Sequence, residues 1–580
     1  MVSFEHSQGR EAAASKIRYI QQMKPDTHST HNINNVTSTV VINGYDLSLN
    51  LLDKLSRGKE ELRPVLSESA LHAVAASRSM LERLLAEGAE IYGVTSGFGE
   101  NCETTVAPQA AVELQHKLVT YHGVGCGAPL SLEETRAVVL TRLNTLARGY
   151  SGVRPVLLER MTKLLELNVL PVIPEIGSVG ASGDLTPLSY LAALIAGDRE
   201  AWWQGSRVPA AEALSEAGIE PLELREKEGL AIMNGTAVMT GIAALAVQSL
   251  GRCLGLAERL AAGAVEVSGG DRRAFDPDAH SLKPHPGQQG SAARMYRYLA
   301  VADDSADSSA TADVSAMARN GGSGGNSQPS APGHRVQDVY SLRCAPQLIG
   351  AAVDTLVETA RVITVELNSS NDNPLFDPHR NKVYNTGHFQ GSHVALASDA
   401  LRNAAAVVAD LLDKQCLLLL DGARSGLPPN LAPPQEFTAA PGSAAKVSQS
   451  TAPNHGLKAL GITVSALTAE IDSLSAPIAS RSRPTESMNQ DVVSLGQLSA
   501  RRLREVARLF ELLCAAAAIV VAQAASLRSA KLMGAAPTPA LEELLVWVRS
   551  SVPELKDDRA LHNELQALAG RVAEWPSLIG

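Results

Sequence analysis

Three small residues in a row, Ala181-Ser182-Gly183, have the types and spacing for a chemistry that no standard side chain offers. They lie in the run Gly177-Ser178-Val179-Gly180-Ala181-Ser182-Gly183-Asp184-Leu185-Thr186-Pro187-Leu188. Small residues on both sides let the backbone fold tightly on itself. In such a turn the Gly183 amide nitrogen reaches the Ala181 carbonyl carbon. Glycine is the least hindered backbone nucleophile and tolerates the dihedrals required. Cyclisation and loss of two waters, one from Ser182, would leave a conjugated imidazolone with an exposed methylidene. That product is an electrophile suited to amines. The plain alternative is that Ala-Ser-Gly is an ordinary turn.

Other motifs accompany the turn in a fixed order. They are Ile91-Tyr92-Gly93-Val94-Thr95-Ser96-Gly97-Phe98-Gly99, Asn234-Gly235-Thr236, Lys283-Pro284-His285-Pro286-Gly287-Gln288 and Tyr340-Ser341-Leu342-Arg343. Glu366-Leu367-Asn368-Ser369-Ser370-Asn371-Asp372-Asn373-Pro374-Leu375 and Asn489-Gln490-Asp491-Val492-Val493-Ser494 follow. From Tyr92 to Ser494 the set resembles the aromatic amino acid and histidine ammonia-lyase family, which includes 2,3-aminomutases. The resemblance implies that Ala181, Ser182 and Gly183 form 4-methylideneimidazol-5-one (MIO), with neither a metal nor a nucleotide as cofactor.

The resemblance also implies roles. The hard step is removing a β-proton from an α-amino acid, which requires a good leaving group and a pre-aimed base. Tyr92 is the candidate base; a free tyrosine has a pKa of about 10, so it needs help near neutral pH. Arg343 is the candidate carboxylate anchor, since a guanidinium fork suits a carboxylate. Tyr340 would assist protonation chemistry at the MIO. Asn234 would bond near the MIO or the substrate carboxylate, with Gln337 and Gln490 as further polar contacts. Phe389 would pack behind the MIO, and His388 stands beside it where the family usually has Asn.

Substrate choice is expected to lie in Leu114–Gly123, at Tyr121-His122. An imidazole at the pocket end can bond a phenol, which favours tyrosine, then phenylalanine. Gln490 stands where histidine lyases carry glutamate, which argues against histidine. An aromatic 2,3-aminomutase is the alternative reading, and a histidine ammonia-lyase the next. A helical scaffold without catalysis is a further alternative, opposed by the joint presence of Ser182, Tyr92 and Arg343.

The elements that must hold these residues are helical. The chain has 580 residues, 45% apolar and 4% aromatic, enough for a large core, and its Ala and Leu content favours helix. Long helices are predicted over 235–267, 346–368, 393–421, 456–473 and 495–530. Several are apolar all round and must be surrounded by protein. The apolar run 512–525 is too short to span a bilayer, so no membrane is expected. The fold expected is mainly α: a fumarase/aspartase-like long-helix bundle with a smaller α-rich N-terminal domain carrying the MIO loop. The family implies a homotetramer whose sites draw on several chains.

Four parts are expected: a disordered tail over 1–38, an MIO-bearing domain over 39–230, the bundle over 231–535, and a helical segment over 536–580. Flexible insertions are expected near 303–334, where a lid or a neutral surface loop would fit equally, and near 427–453. A net charge of −10 with no basic cluster argues against nucleic acid. The six cysteines lack Cys-x-x-Cys spacing and read as small buried hydrophobes. The polar N-terminus lacks a signal-like apolar stretch, so a soluble cytoplasmic protein is expected.

Overall fold

Ala- and Leu-rich stretches with no proline beyond the first turn propagate as helix at little cost in side-chain entropy. They give five long helices in the computed structural model, which describes residues 38–58, 62–300, 337–433, 454–532 and 536–579. These are α1 (Ala237–Ser268), α2 (Ala345–Leu367), α3 (Ser392–Leu420), α4 (Lys458–Ser473) and α5 (Gly496–Leu532). All five fall where apolar periodicity predicts them. The fold is mainly α, as expected. The tail expected over 1–38, except for its last residue, the insertion at 303–334 and residues 434–453 of the second insertion lie outside the described residues.

Side-chain contacts fix the directions of the helices. Thr236, just before α1, bonds Glu366 near the end of α2, while the Asp271 amide beyond the other end of α1 donates to Asp338 at 2.7 Å. Helices α1 and α2 are therefore antiparallel. Thr359 touches the Ala397 carbonyl at 3.3 Å, and Gln415 donates to the Ser341 carbonyl at 2.8 Å, so α3 reverses again. Ser249 bonds Glu511 at 2.6 Å, which places α5 alongside α1.

Helices α1 and α5 are long and apolar enough to cross a membrane, but their apolar windows are 94% and 78% buried within the protein. The run 512–525 belongs to α5, so the expectation of a core helix is met by a helix longer than the run itself. Glycine ends α1 as a left-handed cap, with Gly269 at φ 67°.

The N-terminal part mixes shorter helices with small sheets. Helix Leu132–Ala147 starts on a reciprocal capping box between Ser131 and Glu134 and packs beside α1. The strands Cys126–Pro129 and Pro174–Ile176 pair antiparallel. The chain then runs through the Ala-Ser-Gly turn into helix Leu185–Ala196. C-terminal helices Pro539–Arg549 and His562–Gly570 lie against the bundle. There Glu266 of α1 accepts from the Thr538 amide at 2.8 Å and hydroxyl at 2.6 Å.

Candidate active site

The Ala-Ser-Gly turn is clasped from within by Ser178. Its hydroxyl accepts from the Gly180 amide at 3.0 Å and shares its proton between the Gly183 carbonyl, at 3.2 Å, and Asp184 Oδ1, at 3.1 Å. Gly180 and Gly183 take φ of 78° and 71°, a region that costs other residues energy. A methyl group at Gly183 would overlap the Gly235 carbonyl. Gly183→Ala is therefore expected to cost about 1–3 kcal/mol of strain and to block cyclisation. A urea melt, with the absorbance of the purified protein, checks both.

Two flanking segments grip the turn from outside. The Asp184 amide donates to the Gly235 carbonyl at 2.7 Å, and the Leu495 amide donates to the Val179 carbonyl at 2.9 Å. Asn234 is buried and donates from Nδ2 to the Ser182 carbonyl at 3.1 Å, while its Oδ1 has no hydrogen-bond partner. Gln490 Nε2 donates to Ser182 Oγ at 3.2 Å.

Beneath Asn234 lies a fully buried guanidinium. Arg142 donates to the carbonyls of Ala231 and of Asn234, the latter at 2.6 Å, and to Asn371 Oδ1 at 2.8 Å. Asn371 donates onward to Thr236 at 2.7 Å, and Thr236 donates to Glu366. Burial pushes the Arg142 pKa down to about 10, with Asp372 and Asp184 opposing that shift. A buried polar chain like this is costly unless its members are paired; here it fixes the Asn234 backbone.

Asp184 is buried and accepts from the Met239 amide at 2.8 Å. Burial raises its pKa to about 7, against the pull of the Met239 and Val238 amides, Ser178 and Arg142. A raised carboxyl pKa stabilises the fold fully below the unfolded value, and that contribution is lost as pH rises through the folded value. The chain is expected to lose stability from this group between about pH 4 and about pH 7. Asp184→Asn should flatten that slope in denaturant titrations run at several pH values.

A second loop cluster stands close by. The Tyr92 hydroxyl accepts from the Gly99 amide at 3.0 Å, and its ring meets Phe98 edge-on with centroids 6.5 Å apart. Buried Gln115 ties this loop to the Asn234 segment: it donates to the Gly93 carbonyl at 3.0 Å and accepts from the Leu230 amide at 2.9 Å. His122 lies at the end of helix Ala111–Tyr121, with Nδ1 2.9 Å from the Leu118 carbonyl. That contact makes Nδ1 the donor and leaves Nε2 as an acceptor. Burial lowers the His122 pKa, which favours the neutral ring. Tyr121 is 55% exposed, with its ring 4.3 Å from that of His122.

The turn Thr485–Gln490 joins the two clusters. Thr485 and Gln490 pair through their backbones at 3.0 and 3.3 Å and through their side chains at 2.7 Å. Between them Glu486, Ser487 and Met488 all take left-handed φ, at 52°, 50° and 72°, a run of backbone strain rarely seen outside functional loops. The Glu486 carboxylate lies against Gly99, in space that a larger residue there would fill. Burial raises the Tyr92 pKa; the Gly99 amide opposes it, and Cys102 and Glu486 add to it. Among the described residues the net shift of Tyr92 thus runs opposite to the help it needs as a base. Burial, Glu486 and Tyr92 together push Tyr121 up to about 12.

The remaining predicted residues divide. Phe389 is half-buried in the turn before α3, a turn whose Gln390 donates to the Val492 carbonyl at 3.3 Å. Beside it His388 pairs with Thr386. Tyr340, Arg343 and Gln337 are elsewhere. Tyr340 is 71% exposed, Gln337 is exposed, and Arg343 donates to the Asp338 carbonyl at 3.0 Å and covers the Tyr340 ring. Gly391 and Gly180 both face the Ser494 hydroxyl, so the start of α3 lies at the Ala-Ser-Gly turn. Ser341 bonds Gln415 near the far end of α3. At about 1.5 Å per residue, Gly391 to Gln415 spans roughly 36 Å. One chain therefore keeps Tyr340 and Arg343 at the opposite end of the bundle from Ser182.

The residues around Ser182 fit an MIO. The backbone has the left-handed glycine that ring closure needs, and Asn234 bonds the carbonyl that would remain in the ring. Its buried, unpartnered Oδ1 awaits a donor.

A profile of the aromatic amino acid lyase family matches residues 47–550. A histidine ammonia-lyase of Anaeromyxobacter sp. (strain K) is 36% identical over 545 residues, covering 92% of this chain and 99% of that protein. A tyrosine ammonia-lyase of Cupriavidus metallidurans is also 36% identical, covering 91% of this chain and 95% of that protein. Among solved structures, a tyrosine aminomutase from Streptomyces globisporus superposes with a TM-score of 0.81 at 32% identity, covering 92% of this chain and 97% of that one. With its helices and its Ala-Ser-Gly turn in this arrangement, the chain belongs to the aromatic amino acid lyase family and is a carbon–nitrogen lyase.

Proposed function

We propose that the chain eliminates ammonia from an aromatic L-amino acid, tyrosine ahead of phenylalanine, to give the arylacrylate. The observation that carries this reading is the meeting of Ser182, Asn234 and Gln490 with the Tyr92–His122 cluster across one strained turn. An MIO formed from Ala181, Ser182 and Gly183 would supply the electrophile for the substrate amine. Asn234 donates to the carbonyl of Ser182 and so draws electron density from the adjacent Cα–Cβ unit. Tyr92 takes the β-proton. His122, neutral with Nε2 free to accept, suits a phenolic hydroxyl.

Arg343 and Tyr340 enter from a second copy of the chain, in a homotetramer with shared sites. The 36 Å span along α3 supports this arrangement. A guanidinium brought beside Tyr92 would also oppose the rise that burial imposes on its pKa, since a nearby opposite charge favours the phenolate. Tyr92→Phe and Arg343→Ala are then each expected to be nearly inactive as homotetramers. Unfolding and refolding the two together should recover a measurable fraction of wild-type turnover, because some sites receive both intact residues. No recovery at all would mean that each chain completes its own site.

A 2,3-aminomutase is the second reading, favoured by the likeness to the Streptomyces aminomutase. A cytoplasmic location is part of the same proposal. Ultraviolet absorbance with tyrosine, phenylalanine and histidine in separate cuvettes tests the main one. An arylacrylate signal from tyrosine supports it, and urocanate from histidine overturns the substrate. A flat trace with β-tyrosine on a chiral column establishes the mutase.

A further inference from the structure

A cavity of about 660 Å³ opens on the far side of the Ser494–Leu495 turn, and four arginines line it: Arg402, Arg481, Arg483 and Arg502. One carboxylate, Glu470, shares the wall. In a chain of net charge −10 such a concentration of guanidinium groups is unusual. Among the described residues no carboxylate pairs with Arg481, Arg483 or Arg502.

The cavity wall is held in place. Arg402 is 1% exposed and pairs with Asp399. Asp399 in turn accepts from the Ile478 amide at 2.7 Å and the Ala479 amide at 2.9 Å, which pins the segment leading to Arg481. Arg402 also donates to the carbonyls of Leu474 and Ala476. Its Nε is buried and has no hydrogen-bond partner among the described residues. An unpaired buried guanidinium N–H is costly unless something accepts from it.

Ser473 and Ala476 complete the lining together with Leu474, Ile478, Leu495 and Leu498, whose side chains give the cavity an aliphatic part beside the arginines. Forked donors beside an apolar wall suit a flat carboxylate: guanidinium binds the head, and the aliphatic wall covers the body. Neither a bare inorganic anion nor a neutral aromatic satisfies both halves. We propose that this cavity is a second binding site, outside the catalytic cluster, for a small amphiphilic carboxylate of the arylalkanoate or arylacrylate class. Its wall continues through Leu495, whose amide holds Val179 beside the Ala-Ser-Gly turn, so occupancy would bear on that turn.

Calorimetric titration of the full-length enzyme with cinnamate, benzoate and inorganic phosphate tests this. The double variant Arg481→Gln/Arg483→Gln is expected to bind one cinnamate fewer per chain than wild type, or to bind the second at least tenfold more weakly, with kcat/KM within twofold. The exposed helical variant Arg502→Gln should weaken the same site, and it guards against misfolding of the loop. Benzoate binding as well as cinnamate supports a general organic-acid site. Binding of cinnamate alone supports one tuned to the product of the proposed reaction. Because the readout is a difference in stoichiometry, it stands even if the lyase reading fails. Equal stoichiometry with unchanged affinity in all variants, phosphate binding as tightly as cinnamate, or a change in oligomeric size with the double variant would each overturn the proposal. The last outcome would assign the arginines to a subunit contact.

Discussion

Ser182→Ala is expected to abolish turnover while leaving the fold intact. The methylidene carbon of an MIO would be the Ser182 Cβ after loss of its hydroxyl, and alanine has no leaving group to lose. A loss of at least about 10³-fold, or more than about 4 kcal/mol of barrier, is expected. The structural cost is small by comparison. Ser182 is half-buried, and its hydroxyl accepts one hydrogen bond, from Gln490 at 3.2 Å. Removing a single such bond typically costs about 1 kcal/mol. The measurement pairs arylacrylate absorbance with a thermal melt. Near-wild-type turnover would refute the electrophile outright, while a large drop in Tm would move the defect to folding.

Tyr92→Phe is expected to have the next largest effect. Loss of a general base typically costs about 10²–10⁴-fold, and here it should fall on kcat with KM little changed, because among the described residues the hydroxyl bonds only the Gly99 amide. The pH profile gives a sharper signature. A tyrosine whose pKa is raised by burial is mostly a phenol at neutral pH, so wild-type turnover should climb as pH rises and the phenolate population grows. The residual activity of Tyr92→Phe should lose that climb. A profile identical in shape to wild type would assign the base to another group. Tyr121, held near pKa 12, is too weak an acid to stand in.

Much of this arrangement was legible in the sequence. The five long helices announced themselves because apolar periodicity without internal proline has one physical outcome over that length. The turn at Ala181–Gly183 was legible because its glycines are required by left-handed backbone. What escaped were residues whose roles depend on the third dimension. Arg142 is one of four charged side chains in helix Leu132–Ala147, and nothing in its spacing reveals that it supports Asn234 from below. Gln115 lies inside a stretch singled out for substrate choice, yet it works by tying two loops together. Glu486 comes three residues before the Asn489-Gln490-Asp491 motif and acts through a strained turn that no propensity foretells. The distance between Arg343 and Ser182 was equally invisible, because sequence order carries no information about which end of a bundle a loop occupies. The pKa of Tyr92 follows from the same limit: motif logic required a helping charge, and the single chain puts a carboxylate there instead.

The separation along α3 has a consequence for how activity arises in time. Every contact described around Ala181–Gly183 comes from one chain, including the Ser178 clasp, the Asn234 bond, the Arg142 support and the Leu495 anchor. Ring closure is then an event of first order in protein, set by the folding of each chain. If Arg343 arrives from another copy, as proposed, turnover acquires a higher order, because it begins only when chains meet. On dilution the first process keeps its rate constant and the second slows. A freshly synthesised chain would thus carry its reactive group before it carries its activity.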